Sequence, residues 1–330
     1  MTALRLGTRR SKLAMAQSGQ VAERVRRLTG RPVELVEVVT TGDISREHLT
    51  AIGGTGVFVS ALRDELLAGR IDFAVHSLKD LPTAQPPELA LAAVPERADP
   101  RDALVARDGL TLEELLRAGA ADGSGRPARV GTGSPRRMSQ LHTHARSLGC
   151  GITTVPIRGN VDTRIGYVRA GELDAVVLAS AGLHRVGSEG AITDLLDPDT
   201  VLPAPGQGAL AIECVASRDD LVAELGRLDD PPTRIAVTAE RALLSALEAG
   251  CSAPVAALAD HREDEPGTTV LHLRGAVGTT DGVTSMQLST TGPVPASDGE
   301  ATARADRMGR DLAAEMLAKG AAGLMGERAQ

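Results

Sequence analysis

At 330 residues the chain is long enough for two or three domains with their own cores, and its net charge of −7 argues against a general nucleic-acid binder. Aromatic residues make up 1% and Trp is absent, so the cores must be built from Leu, Val, Ala and Ile. Cysteines at 150, 214 and 251 are too few and scattered for a disulfide framework, no CxxC pair points to zinc, and no signal-like run or ~18-residue apolar span occurs; a cytoplasmic protein that crosses no membrane is expected.

In chain order, Leu4–Leu6 is a short apolar strand running into Gly7-Thr8-Arg9-Arg10-Ser11. A helix follows, with Ala14, Val21, Val25 and Leu28 on one face. Val33–Val39 is a β-branched strand. Thr40–Thr55 has two Gly-rich turns and few apolar anchors and reads as a mobile loop; its GGTG at 53–56 lacks the Gly-Lys-Ser/Thr of a P-loop. Val57–Ala68 reads as a helix, and Ile71–Val75 and Leu89–Val94 as strands.

A second unit opens near Asp102. The strand Arg129–Val130 ends in Gly131-Thr132-Gly133-Ser134-Pro135-Arg136-Arg137, and a helix runs from there to Leu148, with Pro135 suited to its first turn. The strand Thr153–Ile157 leads to Arg158-Gly159-Asn160, a helix spans Val161–Ala170, and Asp174–Leu178 is a strand. The pattern strand, Gly-Thr, Arg, helix thus occurs at 4–11 and at 129–137. Gly69-Arg70-Ile71-Asp72 and Gly171-Glu172-Leu173-Asp174 each introduce an apolar strand. These similarities point to internal duplication of a doubly wound α/β unit. Two such units side by side would form a cleft lined by helix N-termini, which suit anions.

Leu202–Gly208, LPAPGQG, reads as a crossover returning the chain to the first domain through the strand Ala209–Cys214. A third, α+β region starts near Asp229, with a helix over 233–249 and hairpin strands Val255–Leu258, Val270–Val277 and Met286–Leu288. Asp260–Gly267 and Thr291–Glu300 read as polar loops, and Ala301–Lys319 as a final helix. The expected domains are 1–101 with 202–222, 102–201, and 223–330. Within AERALLSALEAGCSAP, Leu243, Leu244 and Leu247 form an apolar stripe, Gly250 can end the helix, and Pro254 bars its restart. Cys251 then sits just past a helix C-terminus, where the dipole does not favour a thiolate.

Positive charge is written almost entirely as Arg: of 36 basic residues only Lys12, Lys79 and Lys319 are lysines. Arg9, Arg136, Arg137, Arg158 and Arg164 lie beside Gly, Ser or Thr turns, where paired N–H donors suit carboxylates or phosphates. His76-Ser77-Leu78-Lys79-Asp80 follows a strand end, a usual place for α/β ligand sites. A surface ion pair is the plainer account of Lys79 and Asp80. His142 and His144, two apart on a helix, do not share a face, and no metal site is expected.

Together GTRRSKLAMAQ, TTGD, GGTGVFVSAL, AVHSLKDLP, GTGSPRR, IRGNVDTR, DAVVLASAGLHR, PAPGQGALAIE and AERALLSALEAGC resemble the porphobilinogen deaminase (hydroxymethylbilane synthase) family, from about Leu4 to Leu258 and weakly beyond. The resemblance implies a transferase of porphyrin and heme biosynthesis. Such an enzyme joins four porphobilinogen molecules, releasing ammonia each time, into linear hydroxymethylbilane on a covalent dipyrromethane cofactor. It implies two lobes resembling type II solute-binding proteins plus a small C-terminal α+β domain, and a monomer.

By motif match, Cys251 carries the cofactor as a thioether and Asp80 is catalytic. The same resemblance implies that Ser77, Lys79, Asp80, Thr132, Ser134, Arg136, Arg137, Arg158 and Gly159 bind the cofactor. It likewise implies that Arg9, Ser11, Arg158, Arg164 and Arg185 bind substrate. Each pyrrole brings an acetate and a propionate, which accords with the run of arginines. Loss of ammonia leaves an azafulvene, an electrophile that an ordinary thiol can trap. The chain departs from the family pattern at Ala51 and Thr55, where lysines are common, and at Pro135, Ala246 and Ala249. The rival reading is a two-lobed cytoplasmic anion sensor without catalysis, which leaves Cys251 and Asp80 without a role.

Overall fold

The computed structural model describes residues 2–38, 56–121, 126–249, 253–265 and 267–325. The 40–55 loop with Ala51 and Thr55, and Gly250 and Cys251, therefore lie outside the described residues. The chain divides into two compact units, Met1–Ala98 with Gly208–Arg234, and Asp99–Gln207 with Ile235–Gln330.

In the first unit β1 (Leu4–Thr8), β2 (Val33–Glu37), β3 (Phe73–Ser77), β4 (Leu89–Ala93) and β10 (Leu210–Val215) form one sheet in the order β2-β1-β3-β10-β4. β1 is parallel to β2 and β3; β10 is antiparallel to β3 and β4. α1 (Lys12–Thr29) lays Val21, Ala22 and Val25 on one face, against Leu4, Leu6, Phe73 and Ile212. The Ser11 hydroxyl caps its start by accepting from Ala14 N–H, and Gly30 ends it at φ 69°. α2 (Gly56–Leu67) covers the other face with Leu62 and Leu66. With both faces covered, a strand cannot alternate polar and apolar residues, which is why these segments read as continuous apolar runs. α7 (Asp219–Gly226) completes this unit, packing Leu221 and Leu225 into the α1 core.

The second unit holds a sheet of the same plan. β5 (Asp102–Ala106), β6 (Ala128–Gly131), β7 (Ile152–Val155), β8 (Ala175–Ala179) and β9 (Asp194–Leu195) are ordered β7-β6-β8-β5-β9, with β6 parallel to β7 and β8, and β5 antiparallel to β8. Its helices are α3 (Leu112–Ala121), α4 (Pro135–Ser147), α5 (Val161–Arg169) and the short α6 (Ser180–Arg185).

The duplication extends to individual bonds. Asp72 Oδ2 accepts from Arg5 N–H at 2.7 Å, and Asp174 Oδ2 accepts from Arg129 N–H at 2.7 Å. The return bonds, Asp72 N–H to Arg5 O and Asp174 N–H to Arg129 O, are 2.8 and 2.9 Å. Each aspartate thus locks the β-strand that leads to a Gly-Thr turn. The glycines of those turns let core side chains close in: a Cβ on Gly7 would meet the ends of Ile71 and Leu62, and one on Gly131 those of Leu173, Ile157 and Val176, which would have to shift. The tight strand end sets where Arg9 and Arg136 begin.

The second unit also contains an antiparallel sheet β11 (Val255–Glu265), β12 (Thr268–Gly278) and β13 (Ser285–Pro293). α8 (Pro231–Ala246), apart from its first turn, and α9 (Asp298–Ala318) cover it through Leu243, Leu247, Met308, Leu312 and Met316. Here the structure departs from the sequence reading in three places. β11 runs through Asp260–Glu265, read as loop, because Asp260–Glu263 pair in register with His272–Thr269 and Glu265, past an irregularity, with Thr268, while Arg262, Glu263 and Asp264 are exposed. β13 similarly extends to Pro293. And α8 ends at Ala246, not 249: Glu248 takes the left-handed conformation at φ 52°, with Glu248 N–H bonded to Ser245 O and Ala249 N–H to Leu244 O. These two bonds make a Schellman end on a non-glycine residue, so the helix stops before Gly250 is reached. β5, β9, α3, α6 and α7 were not read from the sequence.

Candidate active site

In the first unit the β1–α1 turn supplies Arg9 and Ser11, and the end of β3 supplies Ser77. A single 3-10 turn over Leu78–Asp80 then carries Lys79 and Asp80. Leu78 N–H bonds Ala209 O at 3.0 Å and Leu78 is fully buried, which pins the turn to the start of β10. Arg9, Ser77 and Asp80 line one cavity of about 170 Å³ together with Gln17, His76, Val59 and Leu62. Gln17 donates to Ser77 Oγ at 2.9 Å, orienting the hydroxyl at the cavity wall. Gln17 was missed: it is one polar residue among several on α1, and only the packing of α1 on β3 singles it out.

Beneath this cavity lies a buried charge cluster. Glu213 on β10 is fully buried and receives a two-point fork from Arg63 of α2, at 3.1 and 2.8 Å. His76 Nε2 is 3.1 Å from Glu213 Oε2, close but outside hydrogen-bond alignment. Burial alone would push the Glu213 carboxyl up; the approach of His76 and Arg63 outweighs it and holds it down at about 2, against an ordinary 4.5. A depressed carboxyl stabilises the fold above its unfolded value and loses that contribution as pH falls through its folded value. The window is therefore about pH 4.5 down to 2, and the contribution at neutral pH is about 3 kcal/mol. Glu213→Gln should lose about that much in urea unfolding at pH 7, with the gap to wild type shrinking at pH 3. An equal loss at both pH values would show that ionisation of Glu213 is not the source.

In the second unit Thr132, Ser134, Arg136 and Arg137 follow one another from the end of β6 into the first turn of α4. Thr132 is fully buried, and its Oγ1 accepts from Ser134 N–H at 3.2 Å. The Ser134 hydroxyl makes no capping bond. Arg136 and Arg137 are only 3% and 6% exposed, far more buried than the sequence suggested. Their partner, Asp102 at the start of β5, was not read as a site residue; Arg136 Nη1 and Arg137 Nη2 lie 2.8 and 2.7 Å from its carboxylate. No local signal could have revealed it, since it lies 35 residues from Arg137. Arg164 on α5 joins the group: burial, then the charge of Arg137, lowers its pKa, so the two guanidinium groups feel one another. Its Nε donates to Gly159 O at 2.9 Å, and Gly159 holds φ 103°, where a Cβ would strike Thr163. Arg158 is exposed on the same loop, and Arg185 ends α6.

Arg136 Nε and Arg137 Nε are buried without a hydrogen-bond partner among the described residues. Buried donors of this kind are costly unless a ligand completes them. They fit carboxylates, and so a group that carries several. A second cavity in this unit, about 190 Å³ and lined by Ser139, Thr143, His144 and Met286 among others, contains none of the predicted site residues. His142 Nε2 lies 3.1 Å from Thr154 Oγ1. Among the described residues no group of three or more His, Cys, Asp or Glu is gathered to hold a metal.

Two sheets of one plan, each with arginines at a strand end, define an α/β protein, and in the second unit the buried guanidinium groups suit an anion. The comparisons with known proteins narrow this class. Residues 4–223 match the family model described as porphobilinogen deaminase, dipyrromethane cofactor binding domain, and 234–318 match porphobilinogen deaminase, C-terminal domain. Porphobilinogen deaminase 1 of Streptomyces avermitilis is 72% identical over 326 residues, covering 99% of this chain and 98% of its own length. The enzyme of the same name from Streptomyces coelicolor is 68% identical, covering 99% of both chains. Porphobilinogen deaminase of Thermobifida fusca is 53% identical, covering 97% and 95%. A periplasmic binding protein of Salmonella typhimurium aligns at 16% identity over 69% of this chain and 92% of its own, with a TM-score of 0.36. The chain belongs to the porphobilinogen deaminase family.

Proposed function

We propose that this protein is a hydroxymethylbilane synthase: it condenses four porphobilinogen molecules with loss of ammonia on a dipyrromethane attached to Cys251. The observation that carries this reading is the buried arginine pair with unpartnered Nε groups, inside the segment that matches a dipyrromethane-binding domain. When bound, the dipyrromethane supplies the terminal pyrrole carbon to which substrate is joined. Arg136, Arg137, Thr132, Ser134, Arg158, Gly159, Ser77 and Lys79 would hold the group, the cationic ones through its carboxylates, and Asp80 would do the proton and charge work. Arg9, Ser11, Arg158, Arg164 and Arg185 receive substrate carboxylates. Asp80 balances the positive charge that appears on a pyrrole nitrogen as ammonia leaves, and takes the ring proton afterwards.

Two observations support Cys251 over the other cysteines. Cys214 is fully buried in the first core, and burial pushes its thiol up to about 11. Cys150 is half-buried and directs its thiol to Leu148 O. We read the chain as three domains, 1–101 with 202–222, 102–201 and 223–330, in keeping with its three sheets, and as a cytoplasmic monomer. No helix among the described residues is long and apolar enough to cross a membrane.

Ammonia release from porphobilinogen by the purified chain, with formation of the linear tetrapyrrole, tests the reading; binding of porphobilinogen without turnover would instead favour an anion sensor. Individual arginines should fail at different stages, because the carboxylates multiply as the chain grows. Arg158→Leu and Arg164→Leu each remove a charge-assisted bond, worth ~1.5–3 kcal/mol or on the order of 10- to 100-fold in binding. Single-turnover mass spectra should show them stalled after different numbers of additions; wild-type spectra for both would remove these residues from the site.

A further inference from the structure

Asp102 is fully buried, and three groups converge on its carboxylate. Arg137 Nη2 and Gln207 Nε2 donate to Oδ1 at 2.7 and 2.8 Å, and Arg136 Nη1 is 2.8 Å from Oδ2. The same groups also bond backbone carbonyls. Arg136 Nη1 donates to Leu202 O at 2.7 Å, Arg137 Nη1 to Val177 O at 3.0 Å, and Gln207 Nε2 to Pro100 O at 2.7 Å. Burial alone would raise the Asp102 carboxyl, but the two guanidinium charges more than reverse this and hold it far below the usual range. One anion thus serves two cations, leaving a net positive charge on the buried triad. On Arg136 the Nη1 end is consumed, while the Nε–Nη2 edge, the edge that grips a carboxylate at two points, has its Nε buried without a hydrogen-bond partner among the described residues.

We propose that Asp102 is a positioning residue of the anion site, holding Arg136 and Arg137 by their Nη groups so that the Arg136 Nε–Nη2 edge and Arg137 Nε are kept for a ligand carboxylate. Gln207 locks Asp102 in turn. The inference rests on the proposed function for the identity of the ligand. It makes a prediction opposite in sign to simple charge counting. Removing the Asp102 charge makes the site more positive, which by Coulomb's law alone would tighten anion binding. Positioning predicts that binding weakens, because two like-charged groups lose the anion that holds them together.

The test uses the full chain in three variants: Asp102→Asn, Asp102→Glu and Gln207→Leu. Intact mass gives the fraction carrying a two-pyrrole adduct, and steady-state kinetics with porphobilinogen separate KM from kcat. Arginine Nε–H NMR signals report whether Arg136 and Arg137 are held. Asp102→Asn should lower the adduct fraction, raise KM on the order of 10-fold or more with a smaller change in kcat, and broaden both Nε–H signals. Asp102→Glu should recover part of each, and Gln207→Leu should shift them in the same direction by less. Unchanged or tighter KM with full adduct in Asp102→Asn would overturn the proposal. If Asp102→Asn does not fold, Gln207→Leu decides: KM, adduct and Nε–H signals all at wild-type values would overturn it. If wild type itself carries no adduct and releases no ammonia, the functional reading fails, while the Nε–H signals still judge the hold of Asp102 on the arginines.

Discussion

Replacing Cys251 by Ser is expected to abolish turnover and to leave the purified chain at its unmodified mass. The change is a single atom, so the chain should still fold, melting below wild type only by the stabilisation the bound group supplies. What it removes is the sulfur nucleophile. The electrophile left when porphobilinogen loses ammonia is reactive enough for a neutral or partly ionised thiol, whereas a serine hydroxyl without an adjacent base is a poor nucleophile. Wild type should show a two-pyrrole increment on the peptide containing Cys251 and none on those containing Cys150 or Cys214. Cys214 is excluded on physical grounds, since its thiol is fully buried and held in the protonated form. An adduct on Cys150, or a fully active Cys251→Ser chain, would overturn the attachment.

Asp80→Asn is expected to lower kcat by at least ~10²-fold, the usual scale for a general acid–base group, with fold and substrate binding retained. The substitution keeps the size of the side chain and removes its charge. Asp80 sits in a turn pinned by Leu78 and lines a cavity with Arg9, Gln17, His76 and Ser77, so the local backbone does not depend on its carboxylate. Two steps need that charge. Ammonia departs as positive charge builds on the pyrrole nitrogen, and a ring proton leaves after the carbon–carbon bond has formed. One carboxylate serving both should make rapid-quench ammonia release and carbon–carbon bond formation slow together. Asp80→Glu, which keeps the charge and moves it by a methylene, should retain part of the activity. Near-normal kcat in Asp80→Asn would reduce Asp80 to a structural residue.

Much of the candidate site is legible in the sequence because its parts are local. The Gly-Thr turns at Gly7 and Gly131 declare themselves by sequence since a Cβ there meets neighbouring side chains. The arginines follow those turns directly, and Ser77, Lys79 and Asp80 follow a strand whose apolar run is plain. Corrections fell where backbone pairing or a single backbone angle, and not side-chain polarity, decides the structure. Asp260–Glu265 is polar and reads as loop, yet it is strand because β12 supplies the pairing. The helix before Cys251 ends early because Glu248, not a glycine, turns the chain.

By itself, then, the sequence determined the alternation of strands and helices, the duplicated turn with its arginines, and the family, since each depends on spacing within short stretches. Only the tertiary structure decided which charges meet. It set Glu213 between Arg63 and His76, and it gave Asp102 to Arg136 and Arg137, across separations of up to 150 residues. Such pairs leave no periodic signal, because a buried charge is stabilised by whatever countercharge the fold brings within reach, wherever along the chain that residue lies.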